Sequence, residues 1–130
     1  MRLFDLLAAK SLAGGSGGGN ASVKIIKGAH MYLNYGNNDV SVSFTVERVD
    51  KLYADFQKMP VVIIASETQG YYHVRLTQMS KDTYGRYDIA ASAMYWNFGN
   101  QSSIETYDFH LTARDLYEYT EQIYLTGTFQ

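Results

Sequence analysis

The sequence contains no cysteine, and this absence removes several kinds of chemistry at once. Without thiols the chain cannot form a disulfide, a thiolate nucleophile or a cysteine zinc site. Its fold must therefore be held together by the core alone. Proline occurs only once, as Pro60, where it ends a pattern of helical spacing.

An excess of positive charge is also absent. The chain has 11 Lys and Arg residues against 13 Asp and Glu residues, which gives a formal net charge of −2. Proteins that bind nucleic acid use clustered basic side chains to displace counterions from the phosphates. Because the basic residues are scattered here, we predict no nucleic-acid partner.

Long apolar runs are missing as well. No stretch approaches the ~20 apolar residues that a membrane-spanning helix requires. Asp5 and Lys10 interrupt the apolar N-terminus, and no cleavage site precedes the glycines that follow. We therefore expect neither a membrane span nor a signal peptide, and we expect the protein to be made in the cytoplasm.

Aromatic residues, in contrast, are abundant, at 15% of the 130 residues, and 12 of them are tyrosine. Aromatic and β-branched side chains favour strands, and this length suits one domain.

We divide the chain into an N-terminal anchor segment at 1–13, a Gly/Ser linker at 14–20 and a single β-rich globular domain at 21–130.

The anchor segment combines an apolar stripe with a flexible tether. In a helix its apolar face would consist of Leu3, Phe4, Leu6 and Leu7. The opposite face would carry Arg2, Asp5 and Ala9. A helix this short is marginal alone, and a glycine-rich tether is flexible coil. We therefore interpret the segment as an element that docks on a larger protein assembly.

The body reads as a β-rich α+β domain, mainly an antiparallel sheet or sandwich, with one helix at about 49–58. Alternating apolar and polar residues predict the strands, helical spacing predicts the helix, and Gly/Asn/Asp clusters predict the turns. The run 61–65 is continuously apolar and is typical of a strand that is covered on both faces. The expected elements are strands at 22–33, 40–46, 61–65, 71–79, 86–96 and 104–111, a short helical turn at 112–115, and a final strand.

No catalytic constellation is evident, and we expect no enzyme activity. Ser16 lies in a G-x-S-x-G pattern, but a nucleophile elbow needs a strand before it and a helix after it, which a glycine linker does not supply. The carboxylate pairs Glu105/Asp108 and Glu118/Glu121 are typical of a solvated sheet surface.

The three histidines give no metal-ligand spacing. His30, His73 and His110 lie far apart in the sequence, and a metal site would need partners from other strands. We expect His73 and His110 to be solvent-facing residues in strands, with no metal and no cofactor bound.

One group of aromatic residues has a functional interpretation. If both faces of the 71–96 hairpin carry aromatic side chains, one face must point away from the core. Exposed tyrosine and tryptophan can bind partners or sugars. The candidate recognition surface consists of Tyr71, Tyr72, Tyr84, Tyr95 and Trp96.

The layout of the chain resembles small virion accessory proteins of tailed phages and prophages of Gram-positive gut bacteria. The resemblance lies in the leucine-rich start with its Gly/Ser tether, and in the strand, helix, strand order at 42–46, 50–56 and 61–64. It implies a capsid decoration or head-fibre component located in the virion. It implies no catalytic residue.

Together these features lead us to expect a non-enzymatic virion accessory protein. It would be anchored to a capsid or another large assembly by residues 1–13 and would display its β-rich domain, with host surface glycans as candidate ligands. Two alternatives stay open, a small soluble inhibitor of a host protein and a domain that binds or hydrolyses carbohydrate. Edge strands of a sheet need covering, which would suit a homo-oligomer.

Overall fold

A computed structural model describes residues 22–34, 36–66, 70–97 and 104–128, and for 95–97 and 104–109 it describes the backbone only. The predicted anchor and linker lie outside these residues. The described part contains eight strands and one helix, α1. Their bounds are β1 Lys24–Ile26, β2 His30–Asn34, β3 Asp39–Thr45, α1 Val49–Lys58, β4 Val61–Ser66, β5 Gly70–Lys81, β6 Tyr87–Asn97, β7 Ile104–Leu116 and β8 Gln122–Thr128.

The eight strands form one mixed sheet in the order β1-β4-β5-β6-β7-β8-β3-β2. Within it β1 pairs with β4 in parallel, and the other pairs are antiparallel. For the described residues this confirms a β-rich α+β fold with one helix, in which a single sheet rather than a two-sheet sandwich surrounds the core.

The sheet is strongly curved because its two ends are covalently joined. The end strands β1 and β2 are separated by residues 27–29 alone, and so short a connection spans at most about 14 Å. We expected one strand over 22–33. Gly28 breaks it with a φ of 79°, so that β1 pairs with β4 and β2 pairs with β3. This broken strand brings β2 into contact with β4 and rolls the sheet around its inner face.

The core fills the inside of the roll. Its fully buried members include Val42, Ile63, Leu111 and Ile123, which come from four different strands. Helix α1 packs on this inner side, with Val49 and Leu52 buried and Tyr53 and Phe56 packed against the core. The stripe of helical spacing therefore marks the buried face of α1, as its sequence predicts. Tyr53 also meets the Tyr87 ring edge to face, with 5.3 Å between the ring centroids.

The turns follow the chemistry of their residues. Asn38 has a φ of 60°, and Asn37 Oδ1 accepts a hydrogen bond of 3.2 Å from the Asp39 backbone N–H, which closes the β2–β3 hairpin. In the β5–β6 hairpin, Asp82 Oδ1 accepts bonds of 2.9 Å from the Arg86 N–H and 2.8 Å from the Tyr84 N–H. The same bonds, with that of Arg86 contributing most, lower the pKa of the Asp82 carboxyl from its ordinary value.

The prediction of a helical turn at 112–115 is wrong, because β7 continues through these residues to Leu116. Thr112 and Ala113 pair with β6, so tertiary pairing replaces the local capping pattern. Asp115 forms a bulge with a φ of 60°, and its backbone N–H donates to Asp88 Oδ1 at 3.2 Å. The predicted final strand is confirmed as β8, with Ile123 and Leu125 buried.

Candidate functional site

The sheet carries an apolar surface on the side that faces away from its core. Register and alternation place Arg75 and Ser92 on this side as well, since Arg75 pairs with Val62 and with Ser92. The outer face is the name we give to six other residues on this side of β1, β4, β5 and β6. They are Ile25, Val62, Ile64, Tyr71, His73 and Met94. Val62 is 3% exposed, Ile64 4% and His73 9%, and the other three are half-buried.

No element of the described chain lies over the outer face. Helix α1 packs on the opposite side, where its Val49 and Leu52 join the core together with Val61 and Ile63 of β4. Neighbours within a sheet shield the flanks of a side chain, but its tip points away from the sheet. The low exposure of Val62 and Ile64 therefore requires a further layer of chain.

A second surface is formed by exposed tyrosines at one end of the roll. Tyr84 is 81% exposed, Tyr117 66% and Tyr119 67%. Tyr84 lies in the β5–β6 turn and the other two lie in the β7–β8 turn. These turns adjoin because Tyr87 pairs with Leu116. We call these three residues the tyrosine rim.

Two arginines hold the rim in place. Arg86 Nη1 lies 3.5 Å from Asp115 Oδ1 and so connects the β5–β6 turn to the end of β7, and its guanidinium lies 5.7 Å from the centre of the Tyr84 ring. The Arg48 guanidinium lies 5.4 Å from the centre of the Tyr119 ring. Such contacts orient an exposed ring and leave part of its face accessible.

The Tyr119 hydroxyl is also tied to a neighbouring carboxylate. Hydrogen bonding to the Glu118 side chain and the negative charge of Glu118 raise the pKa of Tyr119 above its ordinary value. The Tyr119 ring therefore stays a neutral phenol beside the Arg48 guanidinium at neutral pH. This combination is enriched in protein interfaces and suits stacking against flat apolar surfaces.

A cleft of about 340 Å³ lies between β1, the end of β3 and α1. Its basic side chains outnumber its acidic ones, but most are already paired. Lys24 Nζ lies 3.8 Å from Asp55 Oδ2, and Lys51 Nζ lies 3.6 Å from Glu47 Oε1. Arg48 Nη2 donates to Asp50 Oδ2 at 3.0 Å. These ion pairs leave little uncompensated positive charge to hold an anion.

The predicted recognition residues do not form one surface. Tyr72 is buried in the core at 5% exposure, whereas Tyr71 lies half-buried on the outer face. Tyr84 lies beyond the far end of β5, roughly 33 Å along the strand from Tyr71. The backbones of Tyr95 and Trp96 pair with Tyr72 and Tyr71. The predicted anchor residues Leu3, Phe4, Leu6 and Leu7 lie outside the described residues.

Sequence reasoning misjudged one histidine and missed most of the rim. His73 faces away from the core as expected, but it is buried instead of solvent-facing. His30 and His110 are exposed. Tyr117 and Tyr119 lie in a turn, and only the pairing of β6 with β7 brings them close to Tyr84. The signal for the covered outer face was present in the apolar run 61–65.

The described residues contain no cluster of three or more His, Asp or Glu side chains placed to hold a metal ion. Among the same residues, no helix has the length and apolar character needed to cross a membrane. Comparisons with protein-family models, with curated proteins and with solved structures returned no match.

Proposed function

We propose that this protein is a non-enzymatic accessory component of a virion, attached to a capsid or another large assembly through residues 1–13. The apolar stripe of Leu3, Phe4, Leu6 and Leu7 inserts into a groove of the assembly, as amphipathic helices do. The β-rich body is then held at the surface of the particle, and its tyrosine rim serves as the recognition surface.

One observation carries this proposal, which is that the body has a contiguous core of its own. The described members of that core come from residues 26–125. A body with its own core and an apolar segment on a glycine tether is the arrangement that a tethered attachment requires.

The position of the tether supports the rim as the second contact. The described chain begins at Ser22, just before β1, and Lys24 pairs with Val61 at the start of β4. Because β5 runs antiparallel to β4, this end of the roll is also the end that carries the β5–β6 turn. The tether and the tyrosine rim therefore share one end of the body.

The energy available to the stripe is sufficient for attachment. Burying four large apolar side chains contributes roughly 6 to 10 kcal/mol before the costs of ordering. Repetition of the contact on a symmetric assembly adds avidity, because each further contact forms at high effective concentration.

The test uses particles of the phage or prophage whose genome encodes the chain. Mass spectrometry of purified particles should detect the protein, and purified protein should co-sediment with particles that lack it. Leu6→Asp should abolish co-sedimentation, because it places a charge within the stripe. Ala9→Asp adds the same charge to the opposite face and should leave co-sedimentation intact.

The alternatives predict different results. A soluble inhibitor of a host protein would be absent from particles, and its binding would be unaffected by Leu6→Asp. A carbohydrate-binding domain would bind glycans in an array, with loss of binding on Tyr117→Ser. If Leu6→Asp co-sediments as well as the parent protein, attachment through the stripe is refuted.

A further inference from the structure

Val62, Ile64 and His73 of the outer face are buried within a single chain, so the cover over them must come from that same chain. Val62 and Ile64 are 3% and 4% exposed without any second molecule present. Both point away from the core, and the described elements leave that side open. The reach of each remaining part of the chain therefore decides which part can cover them.

The internal segments do not reach Val62. Residues 67–69 join the end of β4 to the start of β5, and their backbone can turn back by about 7 Å. This distance extends to Ile64 but not to Val62, which lies about 13 Å from Ser66. Residues 98–103 can reach back by about 12 Å from the end of β6, whereas Val62 lies about 19 Å from Asn97.

Residues 129 and 130 are also too far from β4. Residues 129 and 130 follow Thr128, which pairs with Asp39 and His110. Strands β5, β6 and β7 separate β8 from β4 in the sheet order. Two residues span about 7 Å, and the intervening strands span roughly 19 Å.

The N-terminal residues are long enough to reach the outer face, and their side chains are apolar like those of that face. They join the described chain at Ser22, beside the first residue of β4, and residues 13–21 span up to about 32 Å. A 12-residue helix is about 18 Å long, and the outer face is about 14 Å wide from β1 to β6. Leucine and phenylalanine side chains match the apolar character of Val62 and Ile64.

We infer that in the free protein residues 1–12 dock on the outer face of the same chain, with the Leu3, Leu6 and Leu7 side chains over Val62 and Ile64. This inference rests on the burial of that face and does not depend on the proposed attachment. If the proposed attachment also holds, residues 1–12 leave the outer face when they dock in the groove of the assembly, and the outer face is then uncovered.

The absence of cysteine allows a direct test in the full chain. Ile64→Cys places a single thiol on the outer face, and its rate of reaction with an aromatic disulfide reagent reports its accessibility. We expect this thiol to react at least tenfold more slowly than that of Thr77→Cys at an exposed position of β5. Adding Leu6→Asp should remove most of that protection, whereas Ala9→Asp should not.

A thiol at position 63, which faces the core, distinguishes uncovering of the outer face from unfolding of the chain. The thiol of Ile63→Cys faces the core and should stay protected when Leu6→Asp is added. The inference is overturned if the Ile64→Cys thiol is as reactive as that of Thr77→Cys, or if Leu6→Asp leaves its protection unchanged.

A second measurement covers the case in which Leu6→Asp unfolds the chain. The pair Leu6→Cys and Ile64→Cys should form an intramolecular disulfide on mild oxidation, at a rate independent of protein concentration. The pair Leu6→Cys and Thr126→Cys should form it at least tenfold more slowly, because Thr126 lies exposed on β8. Equal rates for the two pairs would refute docking. No particle is present in these experiments, so their outcome is independent of the attachment test.

Discussion

Adjacent isoleucines on β4 allow the covered outer face to be tested by stability. Ile63 points into the core at 0% exposure, and Ile64 points to the outer face at 4%. Replacing a buried isoleucine by alanine costs about 2 to 5 kcal/mol, because it removes apolar contacts and leaves a cavity. An isoleucine on an open face would cost within about 1 kcal/mol, as surface substitutions do.

We expect both Ile63→Ala and Ile64→Ala to destabilise the full chain by at least about 2 kcal/mol. For a domain of this size that loss lowers the urea midpoint of unfolding by roughly 1 to 2 M. The measurement is equilibrium unfolding followed by circular dichroism, with the urea dependence compared among variants to confirm that each unfolds in the same way.

A double-mutant cycle then identifies the cover. In a chain that already carries Leu6→Asp, Ile64→Ala should cost less than about 1 kcal/mol, whereas Ile63→Ala should cost as much as before. A coupling of at least about 1 kcal/mol between positions 6 and 64 is expected for residues in contact. Additive effects at these two positions would show that the stripe does not cover Ile64.

Three further predictions concern the turns and the β7–β8 contact. Gly127→Ala should destabilise the protein by about 1 to 3 kcal/mol in urea unfolding. A Cβ at Gly127 would overlap the His110 carbonyl oxygen and lie 3.0 Å from its carbon, where three residue pairs join β7 to β8. A neutral result would show that β8 can shift freely. The pKa of Asp82 is held below its ordinary 3.8, so its contribution to stability is complete above that pH and is lost as the pH falls through the folded pKa. The difference in Tm between the parent and Asp82→Asn should accordingly shrink in acid, and a constant difference would contradict this. The pKa of Tyr119 is raised above 10.0, so its contribution to stability is complete below that pH and is lost as the pH rises through the folded pKa. Glu118→Gln should lower the pKa of Tyr119 in an ultraviolet tyrosinate titration read against Tyr119→Phe, and an unchanged titration would exclude the bond.

Several elements of the fold could be predicted from short stretches of sequence. The alternation of Val40, Val42 and Phe44 with serines places one face of β3 in the core. Val49 and Leu52 recur at helical spacing, and both are buried. These predictions hold because periodicity and turn chemistry act within a few residues, so the local pattern and the final contact agree.

Elements that depend on distant partners could not be predicted in this way. Residues 112–115 have a local capping pattern, yet pairing with β6 keeps Thr112 and Ala113 extended. His73 alternates like an exposed strand residue, but it is buried at 9% exposure. In the first case pairing between residues far apart in the sequence outweighs the local preference. In the second, alternation gives the side that a residue faces and not whether that side is covered.

The candidate functional surfaces also depend partly on local sequence and partly on tertiary contacts. The amino-acid sequence by itself determined the apolar stripe, the tether and a strand made to be covered on both faces, because these are properties of residue type and spacing. Only the tertiary structure decided that the turns carrying Tyr84, Tyr117 and Tyr119 lie at one end, and that β1 begins beside the first residue of β4. The physical reason is that the roll of the sheet and the register of its strands are set by hydrogen bonds and packing between residues far apart in the chain.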